Sequence, residues 1–302
     1  MGLLRRNLYL LALEHKKHPI KGDVLTLGQQ SIHATLAEAK VLFEKEGIVL
    51  KDLPQNFNTK NNIPDWEKTD YSNYANCQTI LALLGAQRVY VADISKYENP
   101  DIIMDLNTPV GQELYNRFDI ILDIGTLEHI FNIPQALKNM KLMLKPGGSV
   151  ILGYPCSNFI NHGFYHICPT LLYDYFSANG FDNFSCFIIN GSNLIYEKKA
   201  KIYQCKQQAM TDDLTLPSKV GVDVMFFATK SLKSHDLPEK IPTQTAYTSS
   251  AYWQKGSSPA NFNKGKLLSR LLFISRKWRP EIIDRTWKKI KTKKNLIYLG
   301  RH

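Results

Sequence analysis

Four residues that could contact a ligand come at the ends of predicted strands: Gly28, Asp93, Asp105 and Asp123. The carboxyl ends of parallel strands meet at one edge of a sheet, so we expect these residues to face one crevice. A carboxylate at Asp93 could accept hydrogen bonds from both hydroxyls of a ribose, each worth about 1.5–3 kcal/mol. Asp105 could accept one from an adenine amino group, with Leu106 against the ring. Any one of these acids alone would more simply be a cap or turn residue, whereas four in this order favour a shared ligand.

The segment 123–132 carries side chains suited to proton transfer. Gly125 is a small residue at the mouth of the crevice, and Glu128 and His129 follow side by side. We interpret His129 as a general base for a substrate hydroxyl, with Glu128 orienting it or binding the substrate. A positioned base contributes roughly 10²–10⁴-fold to the rate of such a reaction. The alternative is that Glu128 faces a cofactor or a helix end and that His129 packs beneath it.

A second cluster of polar side chains follows the fifth strand of the predicted domain, in the segment 161–166. It contains His162, Tyr165 and His166. These groups could recognise the substrate or supply a second base, and equally they could form hydrogen bonds that only hold the loop. A metal site built on His162 and His166 would need a third ligand, and none has suitable spacing. We therefore expect no metal.

The elements that position these residues alternate between strands and helices. Apolar runs predict strands at 23–27, 89–92, 102–104, 118–123, 150–152, 186–189 and 222–228. Helical periodicity and boundary residues predict helices that end at Gly47 and that cover 77–84, 134–144 and 169–178. This pattern is typical of an α/β fold with a doubly wound, Rossmann-like sheet of about seven strands and flanking helices.

Composition divides the chain into four parts. An N-terminal helical segment covers 1–20, and the α/β domain covers 21–235 with a polar, Asn-rich insertion at 48–75. Three prolines, a glycine and many Ser and Thr residues indicate a linker at 236–262. Apolar and basic residues then alternate with helical period in 263–302, which predicts a basic amphipathic helical tail.

The net charge of +11 is confined to the end of the chain. From Lys255 onward there are 14 Lys and Arg residues against 2 Asp and Glu residues, so that this part carries +12 and the rest carries −1. The tail could pack on its own domain or on a twin subunit, or it could lie on an anionic membrane surface as a peripheral contact. Nucleic acid is the least favoured partner, because the tail has no Gly-Arg runs and no RNA-binding motif.

Five scattered cysteines, without C-x-x-C spacing, are expected to be reduced thiols. The apolar run at the N-terminus stops at Leu13, which is short for a signal peptide, and no stretch has the length needed to cross a bilayer. We therefore expect a cytoplasmic protein. Cys156 is expected to be an unreactive core or loop thiol.

Three motifs in order resemble those of class I S-adenosylmethionine-dependent methyltransferases. They are V-A-D-I-S at 91–95, T-L-E-H at 126–129 and L-K-P-G-G at 144–148. The segments 25–30, 125–129 and 162–165 are also similar to those of a bacterial subgroup associated with glycan and secondary-metabolite pathways. The resemblance covers roughly 21–230.

This resemblance implies a Rossmann-like fold and S-adenosylmethionine as the cofactor. The cofactor contacts that it implies are Gly28, Gln29, Asp93, Ile94, Asp105, Leu106, Asp123 and Gly125. The first loop departs from the family, because Gly28 stands alone where a G-x-G-x-G run is usual. The side chains of Gln29 and Gln30 could replace some of the backbone contacts that such a run provides.

The expected reaction is methyl transfer to a small-molecule or glycan-type acceptor, at oxygen. Methylation of exocyclic amino groups usually needs an N/D-P-P-Y/F run after the fourth strand, and D-I-G-T stands there at 123–126. Two alternatives stay open. The chain could be a non-catalytic, methyltransferase-like binding module, or it could be an RNA methyltransferase that uses the basic tail.

Overall fold

The computed structural model describes residues 2–53, 73–191, 200–206, 216, 218–234, 238–248 and 296–301. The strands are β1 (Gly2–Leu4), β2 (Gly22–Leu27), β3 (Ser31–Thr35), β4 (Tyr74–Asn76), β5 (Ala86–Asp93), β6 (Ile102–Ile103), β7 (Phe118–Ile124), β8 (Leu144–Ser157), β9 (Phe181–Asn190), β10 (Lys201–Cys205), β11 (Val222–Lys230) and β12 (Leu296–Arg301). The helices are α1 (Arg5–His15), α2 (Leu36–Lys45), α3 (Cys77–Leu84), α4 (Ile133–Met143), α5 (Pro169–Ala178) and α6 (Thr245–Thr248).

The main sheet has the order β12-β10-β9-β11-β8-β7-β2-β5-β6. Five neighbouring strands of this sheet, β6-β5-β2-β7-β8, are parallel. Numbered by their order along the chain, they lie in the sheet in the order 3-2-1-4-5. This is the order of a doubly wound fold, in which the direction of winding reverses between β2 and β7 and ligands bind beside that point. The α/β class with a doubly wound, Rossmann-like sheet is therefore confirmed.

The remaining strands of the main sheet pair antiparallel. The part of the chain that the structure describes thus contributes nine strands to this sheet instead of about seven, because β10 and β12 extend its edge. A separate three-stranded sheet has the order β1-β3-β4, and its strands contact α1, α2 and α3, respectively. The predicted N-terminal helical segment is therefore α1, preceded by a short strand.

Helices cover both faces of the main sheet. One core cluster contains the apolar sides of α4 and α5, and the other contains those of α1, α2 and α3. The central strand β7 alternates between the two clusters, with Phe118 and Ile121 in one and Ile120 and Leu122 in the other. A strand buried on both faces reads as a continuous apolar run, and for that reason β7 was predictable.

Capping residues set the starts of the helices near the crevice. The α3 cap is Asn76, whose Oδ1 accepts a hydrogen bond of 2.6 Å from the Thr79 N–H. Asn132 caps α4 in the same way, and Pro134 lies in its first turn, where a missing N–H costs nothing. None of the helices in the described ranges has the length and apolarity needed to cross a membrane.

Two predictions about the end of the chain are wrong for the residues that are described. Residues 238–248 fell in the predicted linker, but they pack on α5, where the Asp174 carboxylate accepts a hydrogen bond of 2.9 Å from the Thr245 N–H. Residues 296–301 fell in the predicted helical tail, but they form β12, which pairs with β10. Residues 249–295 of the predicted linker and tail, and 54–72 of the predicted insertion, lie outside the described residues. The proposed contacts of 263–302 with a twin subunit or a membrane therefore stay predictions.

Lys230 at the end of β11 provides a test of the packing under the sheet. Its side chain is buried, and Nζ donates hydrogen bonds to the carbonyls of Lys141 and Leu144 at 2.8 and 2.7 Å. Burial, assisted by the charge of Lys141, lowers the pKa of Lys230 from 10.5 to about 8. Between these values the unfolded chain holds more protons, so that the free energy of unfolding rises with pH.

We expect this rise to disappear in Lys230→Met. Between pH 7.5 and 9.5 the free energy of unfolding of the wild type should increase by about 1–2 kcal/mol relative to the variant. Urea unfolding of both proteins at each pH measures the difference, and the comparison cancels other groups that titrate. A constant difference would show that Lys230 has an ordinary pKa.

Candidate functional site

The carboxyl ends of β2, β5 and β7 meet at one crevice. Gly28 follows β2 and donates a backbone hydrogen bond of 2.7 Å to the carbonyl of Ala92 on β5. A Cβ atom placed on Gly28 would lie 3.2 Å from Thr126 Oγ1 and 3.9 Å from Asp93 Oδ2. Gly28 also has φ +73°, which favours glycine. Three loops that the sequence placed at strand ends therefore lie in contact at the switch point.

Gln30 contributes a polar side chain to this loop. Its Nε2 donates a hydrogen bond of 2.7 Å to the Leu27 carbonyl, and its Oε1 is buried without a hydrogen-bond partner. A buried amide oxygen without a partner is unfavourable, so it is a candidate acceptor for a ligand. The predicted contact, Gln29, is half-buried.

Asp93 at the end of β5 is half-buried beside Gly28. Its Oδ1 accepts a hydrogen bond of 2.8 Å from the Ser95 N–H, which fixes the carboxylate in a turn. The next side chain, Ile94, is 66% exposed and could pack against the flat face of a ring. The structure thus shows a turn role for Asp93, and its contact with a ribose stays a prediction.

Asp105 and Leu106 lie in a turn that is fixed to the start of α4. Asp105 Oδ1 accepts hydrogen bonds of 2.9 and 2.8 Å from the backbone and the side chain of Asn107, which in turn accepts one of 2.9 Å from Asn132. Leu106 is only 6% exposed and belongs to the core. The contact of Leu106 with an adenine ring stays a prediction, and the structure shows that this side chain is part of the core.

Asp123 is a structural residue under the crevice instead of a ligand contact. It is 0% exposed, and its carboxylate accepts hydrogen bonds from the Thr126 N–H at 2.8 Å, the Leu127 N–H at 3.2 Å and the Tyr154 hydroxyl at 2.9 Å. Burial raises the pKa of Asp123 to about 6, against the effect of these hydrogen bonds. The predicted cofactor contact is corrected, since both oxygens are engaged inside the protein.

Asp123 therefore shapes the loop that carries the remaining candidates. Gly125 in this loop has φ +100°, which permits the reversal after β7. Thr126 Oγ1 donates a hydrogen bond of 2.7 Å to the Leu27 carbonyl and joins the loop to the end of β2. A 3-10 turn, Leu127–His129, follows directly. One short segment thus has Thr126 beside Gly28 at its start and the pair Glu128 and His129 at its end.

Glu128, His129 and His162 come together at the outer end of this segment. Glu128 Oε1 lies 3.9 Å from His129 Nε2 and 3.6 Å from His162 Nε2, and the two imidazole centroids are 5.3 Å apart. The Glu128 side chain is 0% exposed, whereas those of His129 and His162 are 39% and 36% exposed. Burial and the nearby Asp123 raise the pKa of Glu128 to about 8. Burial also lowers the pKa values of both histidines.

Tyr165 and His166 form hydrogen bonds that hold the loop. The Tyr165 hydroxyl donates one of 3.0 Å to the Phe131 carbonyl, and His166 Nε2 pairs with the Phe159 carbonyl at 2.8 Å. Their functional groups are engaged in this conformation, which favours the loop-holding interpretation over substrate recognition. Phe131 and Phe164, 69% and 66% exposed, meet edge to face at 5.7 Å and form an apolar rim beside His162.

Cys156, at the carboxyl end of β8, agrees with its predicted lack of reactivity. Burial raises the pKa of its thiol to about 12, so that it stays protonated at neutral pH. All five cysteines are free thiols, as expected.

Three residues that shape the site were not assigned a role there from the sequence: Thr126, Tyr154 and Gly163. Thr126 stands in a motif that the sequence showed, but its bond to Leu27 joins residues 99 positions apart. Tyr154 on β8 reaches Asp123 on the neighbouring strand β7. A Cβ atom on Gly163 would lie 2.8 Å from the Glu128 carbonyl oxygen, so glycine is needed for the loops to approach.

Comparison with known proteins gives distant structural similarities. No family model and no curated protein matches the chain. TehB from Haemophilus influenzae aligns with 73% of this chain and 61% of its own, at 12% identity and a TM-score of 0.36. A SAM-dependent methyltransferase from Thermotoga maritima, described as a possible histamine N-methyltransferase, covers 75% of this chain and 91% of its own, at 16% identity and a TM-score of 0.36.

The N-methyltransferase NodS from Bradyrhizobium japonicum WM9, solved with S-adenosyl-L-homocysteine, covers 74% of this chain and 86% of its own. Its identity is 12% and its TM-score is 0.37. Two of these three proteins are named as methyltransferases, the class that the sequence motifs resemble. At these scores the similarities carry no argument about activity, which rests on the residues of this chain.

Proposed function

We propose that this chain is an S-adenosylmethionine-dependent methyltransferase that methylates a hydroxyl group of a small-molecule or glycan-type acceptor. The observation that carries the proposal is that Gly28, Asp93 and Thr126 come together at the switch point of a doubly wound sheet. The Gly28 N–H bonds the Ala92 carbonyl next to Asp93, and Thr126 Oγ1 bonds the Leu27 carbonyl next to Gly28. A crevice at this point with a carboxylate on the neighbouring strand end is suited to a nucleoside.

The residues of the crevice fit the cofactor. Asp93 is placed to accept hydrogen bonds from the ribose hydroxyls, and Ile94 could cover the purine. Gly28 leaves space where a side chain would meet Thr126, and the buried Oε1 of Gln30 has no partner of its own, so it could accept a hydrogen bond from the amino group of the methionine end. When bound, the cofactor supplies an electrophilic methyl group on a sulfonium. The chain itself mainly aligns the reacting groups.

On the acceptor side, His129 is the candidate base. Its imidazole is partly exposed, and burial lowers its pKa, which favours the neutral form that can accept a proton from a hydroxyl. Phe131 and Phe164 offer apolar surface to the acceptor beside it. A base next to an exposed aromatic rim supports an acceptor that carries a hydroxyl on a ring or other apolar frame.

Calorimetric titration of the full chain with S-adenosylmethionine tests the first half of the proposal. We expect saturable binding of one molecule per chain, and comparable binding of S-adenosylhomocysteine, because Asp93 and Gly28 contact parts that the two ligands share. Absence of binding for both ligands would contradict the proposal.

Transfer of a labelled methyl group to small molecules and glycans of a cell extract tests the second half. Label that stays in the product after treatment with base, as a methyl ether does, would support O-methylation. Binding of the cofactor without transfer to any fraction would instead favour the non-catalytic binding module.

A further inference from the structure

Glu128, His129 and His162 offer three ligand atoms to one point in space. Glu128 Oε1, His129 Nε2 and His162 Nε2 all lie within 4.8 Å of one another, and the carboxylate oxygen is 3.6 and 3.9 Å from the two nitrogens. These separations exceed hydrogen-bond distance, so the three groups are close without bonding one another. The arrangement brings one carboxylate and two imidazoles from two different loops to the outer end of the crevice.

The carboxylate of this cluster is buried, and the backbone N–H of Glu128 offsets only part of the cost of burial. The Glu128 side chain is 0% exposed, and neither Oε1 nor Oε2 has a hydrogen-bond partner among the other described residues. Asp123 and Asp223 lie near enough to add to the negative potential at this position. A buried acidic group in such surroundings is unfavourable unless a cation or a donor meets it. A positive ion beside Oε1 would supply the opposite charge that this buried carboxylate lacks.

We propose that Glu128, His129 and His162 bind a divalent first-row transition-metal ion such as Zn²⁺. Two imidazoles and one carboxylate suit Zn²⁺, Fe²⁺ or Ni²⁺, whereas Mg²⁺ and Ca²⁺ prefer oxygen ligands alone. In a tetrahedral site with bonds of about 2.0–2.2 Å, ligand atoms lie roughly 3.3 Å apart. Rotation of the two partly exposed imidazoles would bring the present separations to that value without moving the buried carboxylate.

The protein holds the two loops together before an ion binds. The Tyr165 N–H donates a hydrogen bond of 3.2 Å to the Glu128 carbonyl, and Gly163 lies against the same residue, where a Cβ atom would come within 3.1 Å of Glu128 Cγ. His162 precedes this glycine directly. The backbone of His162 is therefore held close to Glu128 by contacts between the two loops.

Three protein ligands leave a coordination position open on the exposed side of the cluster. This is the pattern of catalytic sites, where a water or substrate oxygen takes the remaining position. An acceptor hydroxyl bound there would lie beside Phe131 and Phe164, and the ion would lower its pKa so that its proton passes to solvent. His129 would then be a ligand instead of the base. This last step rests on the proposed function, whereas the metal site does not.

Titration of the chelator-treated, tag-free full chain with Zn²⁺ by calorimetry tests the site, with Co²⁺ absorption as a second readout of coordination. We expect one ion per chain. Glu128→Gln and His162→Ala should each weaken binding by about 100-fold or more, since each removes one of three ligands. His162 is exposed, so His162→Ala is expected to fold even if Glu128→Gln does not. Circular dichroism checks both variants.

His18→Ala is the control. It removes an exposed histidine that lies between α1 and β2, before the amino end of β2 and away from the crevice, and it should leave the Zn²⁺ affinity unchanged. The proposal is overturned if the wild type binds no Zn²⁺, or if His18→Ala weakens binding as much as His162→Ala does. The titration contains neither S-adenosylmethionine nor an acceptor. A failure of this proposal is therefore distinct from a failure of the proposed function.

Discussion

Replacing Asp93 with alanine is expected to weaken the binding of S-adenosylmethionine by about 100- to 10,000-fold. In the proposed site the carboxylate accepts hydrogen bonds from both ribose hydroxyls, and hydrogen bonds to a charged group are worth about 1.5–3 kcal/mol each. Gly28 and Gln30 cannot replace these hydrogen bonds, because both residues face the other end of the ligand in the proposed arrangement. Calorimetry on wild type and variant measures the change in affinity.

Two variants make this result specific. Asp182→Ala removes an exposed aspartate from the start of β9. This residue lies at the end of the sheet where β9 begins, away from the crevice at the carboxyl ends of the parallel strands, so the affinity should stay unchanged. Asp93→Asn keeps the shape and the turn to Ser95 while it removes the charge, so its effect should be smaller than that of alanine. If folded Asp93→Ala bound the cofactor as tightly as the wild type, the nucleoside site would have to lie elsewhere.

The part of the site that could be predicted from the sequence is the part that depends on strand ends. Gly28 and Asp93 each follow a run of apolar residues, and in a parallel sheet the ends of such runs must meet. The apolar runs were clear because most residues of β2 and β7, and the last residues before Asp93 in β5, are buried. Local pattern therefore carried enough information to place both residues at one crevice, 65 positions apart in the sequence.

The sequence could not show which acidic side chains turn inward. Asp123 follows the same kind of strand as Asp93, but its direction depends on Tyr154, a residue of the next parallel strand. Glu128 was considered with His129 because they are neighbours in the sequence, whereas its contact with His162 depends on the close approach of Gly163. Both facts belong to tertiary packing, which does not follow from residue type and spacing.

The boundaries of the elements show the same limit. The K-P-G-G run at 145–148 has the composition of a turn and predicts a break before a short strand, yet it lies within β8, which pairs with β7 from Leu144 onward with a shift in register. Residues 296–301 pair with β10, although the basic residues before them indicated a continuing helix. Pairing with an existing sheet edge can override local preference.

Replacing Asp123 with alanine is expected to lower the free energy of unfolding by about 3–5 kcal/mol. The change leaves the Thr126 and Leu127 N–H groups and the Tyr154 hydroxyl without their acceptor inside the protein, and each unsatisfied buried group costs about 1–3 kcal/mol. A wholly buried site leaves little access for water to replace the carboxylate. Equilibrium unfolding in urea, followed by circular dichroism, measures the loss.

Tyr154→Phe separates the contribution of the hydroxyl from that of the loop. It keeps the buried ring and removes one of the three donors, so a loss of about 1–2 kcal/mol is expected. In the double variant with Asp123→Ala the two losses should not add, because both act on one hydrogen-bonded unit, and the coupling should reach about 0.5–3 kcal/mol. A surface or ligand-facing aspartate would give a different result: a change in unfolding within about 0.5 kcal/mol and no coupling to Tyr154. That outcome would mean that Asp123 faces the crevice after all, as the sequence alone had predicted.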